Sequence, residues 1–98
     1  MPITLDFSGK LVLVTGGGRG IGKAIASALA EAGADVAITY TSQDASPVAK
    51  ELSEKYNVQV KAFSCEVTKS EEVDKVVDEV EKAFGKKVDI GVANAGEW

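Results

Sequence analysis

Ninety-eight residues, 45% hydrophobic and 27% charged, make one globular domain at most, and the composition argues against disordered, collagen-like and coiled-coil chains. A formal charge of -4 with scattered basic residues offers no field for a nucleic-acid backbone or an anionic lipid surface. With one cysteine, Cys65, and no histidine there is neither an internal disulfide nor a zinc set, and residues 1–8 carry no signal-like or membrane-spanning run, so a cytoplasmic location is expected.

Leu11-Val12-Leu13-Val14 is apolar without alternation, which suits a strand buried on both faces of a parallel sheet. Beyond a run of glycines, Ile21, Ala24, Ile25, Ala28, Leu29 and Ala32 recur at helical spacing, and Gly33 stands where a helix would end in a left-handed conformation. Asp35 to Tyr40 predicts a second strand. Ser46 is then placed to cap, with Pro47 in the first turn, a second helix whose apolar side is Val48, Ala49, Leu52 and Tyr56.

Val58 to Phe63 alternates apolar with polar residues, which puts this third strand at a sheet edge. Thr68 with Glu71 has capping-box spacing, and Val73, Val76, Val77, Val80 and Phe84 mark a third helix ending near Gly85. Val88 to Ala93 predicts a fourth strand. Strands alternating with helices through short connections force parallel pairing and right-handed crossovers. The fold class is therefore α/β, a doubly wound parallel sheet of order 3-2-1-4.

The run Thr15-Gly16-Gly17-Gly18-Arg19-Gly20-Ile21-Gly22 lies between the first strand and the first helix. A phosphate needs backbone amides pointing at it, and a helix amino end supplies them with a favourable dipole. Gly16 can take the positive φ of a sharp turn, Gly20 lets a ligand approach the backbone, and Gly22 lets the helix pack closely on the central strand. A tight turn alone would not need so many permissive positions.

The spacing Gly16-x-x-x-Gly20-x-Gly22 after Thr15 resembles the short-chain dehydrogenase/reductase family. Tyr40-Thr41-Ser42, Cys65-Glu66-Val67-Thr68 and Asn94-Ala95-Gly96 resemble it too, in the family's order, and the likeness runs from about Gly9 to Gly96. Within the family the chain resembles NADP-dependent polyol, sorbose or ketoacyl reductases. The resemblance implies a Rossmann-type domain of which residues 1–98 are the N-terminal, cofactor-binding half, and a nicotinamide dinucleotide held by Gly16, Gly18, Arg19, Gly20, Ile21 and Gly22. It also implies an adenine contact near Glu66 and Val67, although the family has Asp where Glu66 stands, and packing of Asn94, Ala95 and Gly96 beside the cofactor ribose.

An acid at the end of the second strand would bind the ribose 2′-hydroxyl and repel a 2′-phosphate. Tyr40 holds that place here, Thr41 and Ser42 are neutral, and Arg19 adds a cation, so NADP is favoured over NAD. Asp44 is the nearest acid and is expected to cap the following turn or helix. Each of these residues also has a plainer reading: Arg19 and Glu66 as surface charges, Tyr40 as strand packing, Asn94 to Gly96 as a strand-ending turn.

Catalysis in the resembled family needs a Tyr with a Lys four residues on and a Ser that orients the substrate. Tyr40 is followed at that distance by Asp44 and Tyr56 by Val60, so no such pair lies in these residues. The expected function is therefore the NADP(H)-binding part of an oxidoreductase that interconverts a carbonyl and an alcohol, with a ketose- or polyol-like substrate once the domain is completed. The alternatives are a non-catalytic nucleotide-binding or partner-docking fragment and, less well supported, an S-adenosylmethionine site, for which an acid in place of Tyr40 would be expected. The edge of the fourth strand, with Ile90 and Val92, is expected to be open to pairing, and a homo-oligomer is compatible with the resemblance.

Overall fold

The computed structural model describes residues 7–16, 20–40, 44–64 and 70–92, and for residues 70–73 the backbone only. Among these residues the order is β1 (Leu11–Val14), α1 (Gly20–Glu31), β2 (Asp35–Tyr40), α2 (Ser46–Tyr56), β3 (Val60–Ser64), α3 (Ser70–Phe84) and β4 (Ile90–Val92). The strands form one four-stranded sheet, ordered β3-β2-β1-β4, with every pairing parallel. This is the expected doubly wound topology.

Residue alternation assigns the two faces of the sheet. Val12, Val14, Val36, Ile38 and Val60 point to one side and join Ala26 and Ala30 of α1 and Ala49 and Leu52 of α2 in one core. Leu11, Leu13 and Ala37 point to the other and meet Val76 and Val80 of α3, with Phe63 and Phe84 packed against them. All four residues of β1 are buried, because helices cover it from both sides.

The packing face of α1 is rotated from the one the periodicity predicts. Gly22, Ala26 and Ala30 are its buried residues, Ile25 and Leu29 flank them half-buried, and Ile21, Ala24 and Ala28 are exposed. The smallest residues, four apart, form the ridge on which the helix lies against the sheet. Close approach is rewarded there by dispersion contacts along the backbone, and bulky side chains fit only at the margins. Gly33 ends the segment at φ +97°, as its position implied.

Three boundaries also differ from expectation. Ser46 is the first residue of α2 rather than its cap: Ala45 holds the cap position without a side-chain hydrogen bond. β3 begins at Val60, not Val58, since Asn57 takes a left-handed conformation at the end of α2 and Ser53 Oγ donates to the Val58 carbonyl at 2.6 Å. The ladder of β4 covers Ile90–Val92. Val88 instead donates its amide to Glu81 Oε2 at 2.9 Å, tying the loop to α3. The predicted capping box of Thr68 and Glu71, the side chain of Val73, and Ala93 lie outside the described residues.

The amino ends of the strands are fastened by charged groups. Asp35 accepts the Gln59 amide on Oδ1 (3.0 Å) and pairs through Oδ2 with Lys86 Nζ (2.8 Å), which also donates to the Gly9 carbonyl at 3.2 Å. Asp89 exchanges two hydrogen bonds with Leu11, its Oδ2 accepting at 2.9 Å and its amide donating at 2.8 Å. β2, β3 and β4 are thus each held in register at the end of the sheet opposite the glycine turn. Among the described residues no helix is long and apolar enough to cross a membrane.

Candidate functional site

β1 lies between β2 and β4, and the chain winds outward from it through α1 to β2 and β3, then returns through α3 to β4 on its other side. The strand order therefore reverses at β1, and in open α/β sheets the carboxyl ends of the strands at such a point are where ligands bind. Thr15 and Gly16, which open the glycine turn, follow β1 directly at that end.

Three strand ends meet there. Thr15, buried, donates its amide to the Val92 carbonyl at 3.0 Å and directs its hydroxyl to the same oxygen at 3.4 Å, which ties the turn to β4. The Gly16 amide donates to Thr39 Oγ1 at 3.2 Å, which ties the turn to β2. Gly16 has φ +67°, the left-handed value expected of it, and its amide is turned toward Thr39. That bond holds the start of the turn against β2.

In the first turn of α1 backbone N–H groups have no acceptor within the helix, and that turn carries no acidic side chain. Gly20 has φ +60°, and a Cβ built on it would meet no atom within 4 Å, so its backbone borders open space. Ile21, beside it, is 73% exposed although it is a large aliphatic residue. Gly22 is buried against the sheet. A helix amino end with no acid in its first turn, open space at Gly20 and an uncovered apolar side chain beside it fits a pyrophosphate flanked by less polar groups.

Tyr40 ends β2 half-buried, packed against the core shared by α1 and α2. Asp44 Oδ1 accepts the Ser46 amide at 2.9 Å and the Ser46 hydroxyl at 2.7 Å. The Ser46 hydroxyl and then the Ser46 amide hold the Asp44 carboxyl below its ordinary pKa of 3.8, against an opposing effect of desolvation. The capping role expected of Asp44 is thus realised on Ser46.

Of the residues predicted for the site, Gly16, Gly20, Ile21, Gly22 and Tyr40 are placed at the carboxyl ends of β1 and β2. Gly18, Arg19, Thr41, Ser42, Glu66, Val67, Asn94, Ala95 and Gly96 lie outside the described residues. Thr39 was missed by the sequence reading. The signal was available: a hydroxyl in the run Val36-Ala37-Ile38-Thr39, in a strand buried on both faces, requires a partner.

Residues 10–97 match the sequence profile of the short chain dehydrogenase family. The chain belongs to that family. It is 54% identical over 91 residues to a sorbose reductase of Candida albicans, a match covering 93% of this chain and 32% of the relative. It is 52% identical over 96 residues to an NADP-dependent mannitol dehydrogenase of Alternaria alternata, covering 94% of this chain and 36% of the relative. Among solved structures, L-sorbose reductase of Gluconobacter frateurii, crystallised with NADPH and L-sorbose, superposes with a TM-score of 0.86 at 38% identity, covering 97% of this chain and 36% of that one. The chain thus spans about a third of the length of these relatives.

Proposed function

We propose that residues 1–98 form the cofactor-binding half of a Rossmann-type domain, that they hold NADP(H), and that the completed protein interconverts a carbonyl and an alcohol on a ketose- or polyol-like substrate. The observation that carries this reading is the amino end of α1, without an acid in its first turn, at the switch point of the sheet, preceded by Gly16 at φ +67° and opened by Gly20 at φ +60°. The names of the relatives, sorbose reductase and NADP-dependent mannitol dehydrogenase, support the substrate class and the phosphorylated dinucleotide.

Gly16, Gly18, Gly20, Ile21 and Gly22 would surround the pyrophosphate, with Arg19, Tyr40, Thr41 and Ser42 at the 2′-phosphate, Glu66 and Val67 at the adenine, and Asn94, Ala95 and Gly96 beside the ribose. The dinucleotide supplies or accepts the hydride. No Tyr-x-x-x-Lys pair lies in these residues to move the accompanying proton, so the 98 residues bind and orient the cofactor without reducing a substrate themselves.

Titration of the folded protein with NADPH and NADH, followed by nicotinamide fluorescence, tests the reading, with tighter binding of NADPH expected. A folded sample that binds neither dinucleotide overturns the cofactor assignment, and tighter NADH binding overturns the preference. Incubation of the 98 residues with NADPH and a panel of ketoses is expected to show no turnover, and turnover would overturn the division of labour.

A further inference from the structure

Thr15 and Gly16 are drawn to opposite neighbours of β1. The Thr15 amide goes to the Val92 carbonyl of β4 at 3.0 Å, and the next amide, of Gly16, goes to Thr39 Oγ1 of β2 at 3.2 Å. The backbone register of β1 with β2 ends at Val14 and Ile38, whereas β2 runs on to Tyr40, with Thr39 opposite Phe63 and Tyr40 opposite Ser64 of β3. A side-chain oxygen thus extends the hold of β2 on the chain beyond the last paired residue of β1, and the strand that carries it is itself fixed by β3.

Thr39 is 1% exposed. Alternation along β2 puts its side chain on the face of Ala37, the side covered by α3, while α1 packs on the opposite face. The chain must cross to the α1 side while the Gly16 amide is held toward the α3 side, and Gly16 meets both demands at φ +67°. A valine would suit this buried strand as Val36 does, so the hydroxyl is explained by its bond to the turn rather than by packing.

Resting on the NADP(H) reading above, we infer that Thr39 is a positioning residue for the pyrophosphate: its bond holds Gly16 in the left-handed geometry from which the glycine turn departs, and Thr39 itself touches no part of the dinucleotide. Loss of the hydroxyl releases the Gly16 amide from β2, and the start of the turn shifts toward whatever acceptor the amide then finds. The bond and the left-handed geometry are one device, so the loss of either removes the benefit of the other.

The test has a part without ligand and a part with it, on the native protein, Thr39→Val, Thr39→Ser, Gly16→Ala and the double variant Thr39→Val/Gly16→Ala. Without ligand, exchange of the Gly16 amide hydrogen should quicken by roughly fivefold in Thr39→Val and stay near native in Thr39→Ser, while the Thr15 amide, bonded to β4, keeps its native rate. General loosening of the sheet would quicken both amides. With NADPH, the dissociation constant should rise roughly fivefold in Thr39→Val and return most of the way to native in Thr39→Ser. Gly16→Ala, disfavoured at this φ, should raise it about tenfold, and the double variant should stay near that value, well short of the roughly fiftyfold product.

The inference is overturned if Thr39→Val leaves Gly16 exchange or NADPH affinity unchanged, if Thr15 exchange quickens as much as Gly16 exchange, if Thr39→Ser is as weak as Thr39→Val, or if the two single effects multiply. A native protein that binds neither dinucleotide is a different failure. That result removes the cofactor reading, and the exchange rates still report whether Thr39 holds Gly16.

Discussion

The Gly16 amide donates to Thr39 Oγ1 across 3.2 Å, so a buried hydroxyl of β2 fixes the first residue of the glycine turn. The bond spans 23 residues of chain and joins the two strand ends between which a dinucleotide would lie. Thr39→Val keeps the shape of the side chain and removes the acceptor. We expect a loss of about 1 kcal/mol in folding stability and a weakening of NADPH binding by roughly fivefold, the usual scale for one buried hydrogen bond. Thr39→Ser should recover most of both losses. Unchanged NADPH binding in Thr39→Val would show that the bond does not shape the turn.

Gly20 tests the cradle itself. Its φ of +60° is strained for any residue with a Cβ, while the space around that Cβ is open. Gly20→Ala therefore separates conformation from crowding: backbone strain of about 1 kcal/mol should appear in the urea midpoint, with no clash inside the protein to enlarge it. A methyl group pointing into the ligand's volume adds a further loss of NADPH affinity. Binding that falls by at least tenfold while stability changes little supports the cradle, and binding that merely tracks stability argues against it.

The architecture was legible because its signals are local. The unbroken apolar run of β1, the glycines at segment ends and the spacing of Val76 and Val80 each state a burial pattern, and connection lengths then force the strand order. The rotated face of α1 was not legible. Periodicity identified Ile25 and Leu29, but only the distance between helix and sheet decides that Gly22, Ala26 and Ala30 form the contact ridge. In the site, the glycines declared a turn through their own chemistry. The Thr39 bond depends on which side chains the fold brings together, whereas the bonds of Asp44 to Ser46 are a local turn of the kind that sequence spacing indicates.

Gly33 is where the end of α1 meets the chain leading into β1. Its φ is +97°, and an added Cβ would lie 2.8 Å from Ser8 Oγ and 3.5 Å from the Ser8 backbone. Gly33→Ala combines a disfavoured backbone conformation with a contact that Ser8 must give way to relieve. A destabilisation of about 1–3 kcal/mol is expected, read as a lower thermal midpoint. Because the site lies at the other end of the sheet, NADPH affinity in the folded fraction should stay at its native value.

Asp35 and Lys86 join β2 to the loop before β4, and Asp35 also receives the Gln59 amide of the segment leading into β3. Their side chains are 20% and 31% exposed respectively, so the pair is less screened than the solvent-facing pair of Lys82 with Asp78. Asp35→Ala removes both bonds at once and should cost about 1–3 kcal/mol, whereas Lys82→Ala should change stability by at most about 0.5 kcal/mol. Equal effects of the two substitutions in chemical denaturation would show that the Asp35 fastening does not hold the strands.

The hydrogen bonds from Ser46 to Asp44 give folding a defined pH dependence. The Ser46 hydroxyl and the Ser46 amide lower the native pKa of this carboxyl from its ordinary 3.8, against an opposing effect of desolvation, so the unfolded chain takes up the proton first as pH falls. The stability contributed by Asp44 is therefore fully present above the unfolded value and is lost as pH drops through the lowered native value. Asp44→Asn abolishes the titration while retaining an acceptor for Ser46. The difference in urea midpoint between the native chain and Asp44→Asn should then be constant near neutral pH and shrink in the acidic range below 3.8. A difference that widens on acidification would mean that the carboxyl is stabilised in its protonated form, with the hydrogen bonds from Ser46 failing to favour the charge.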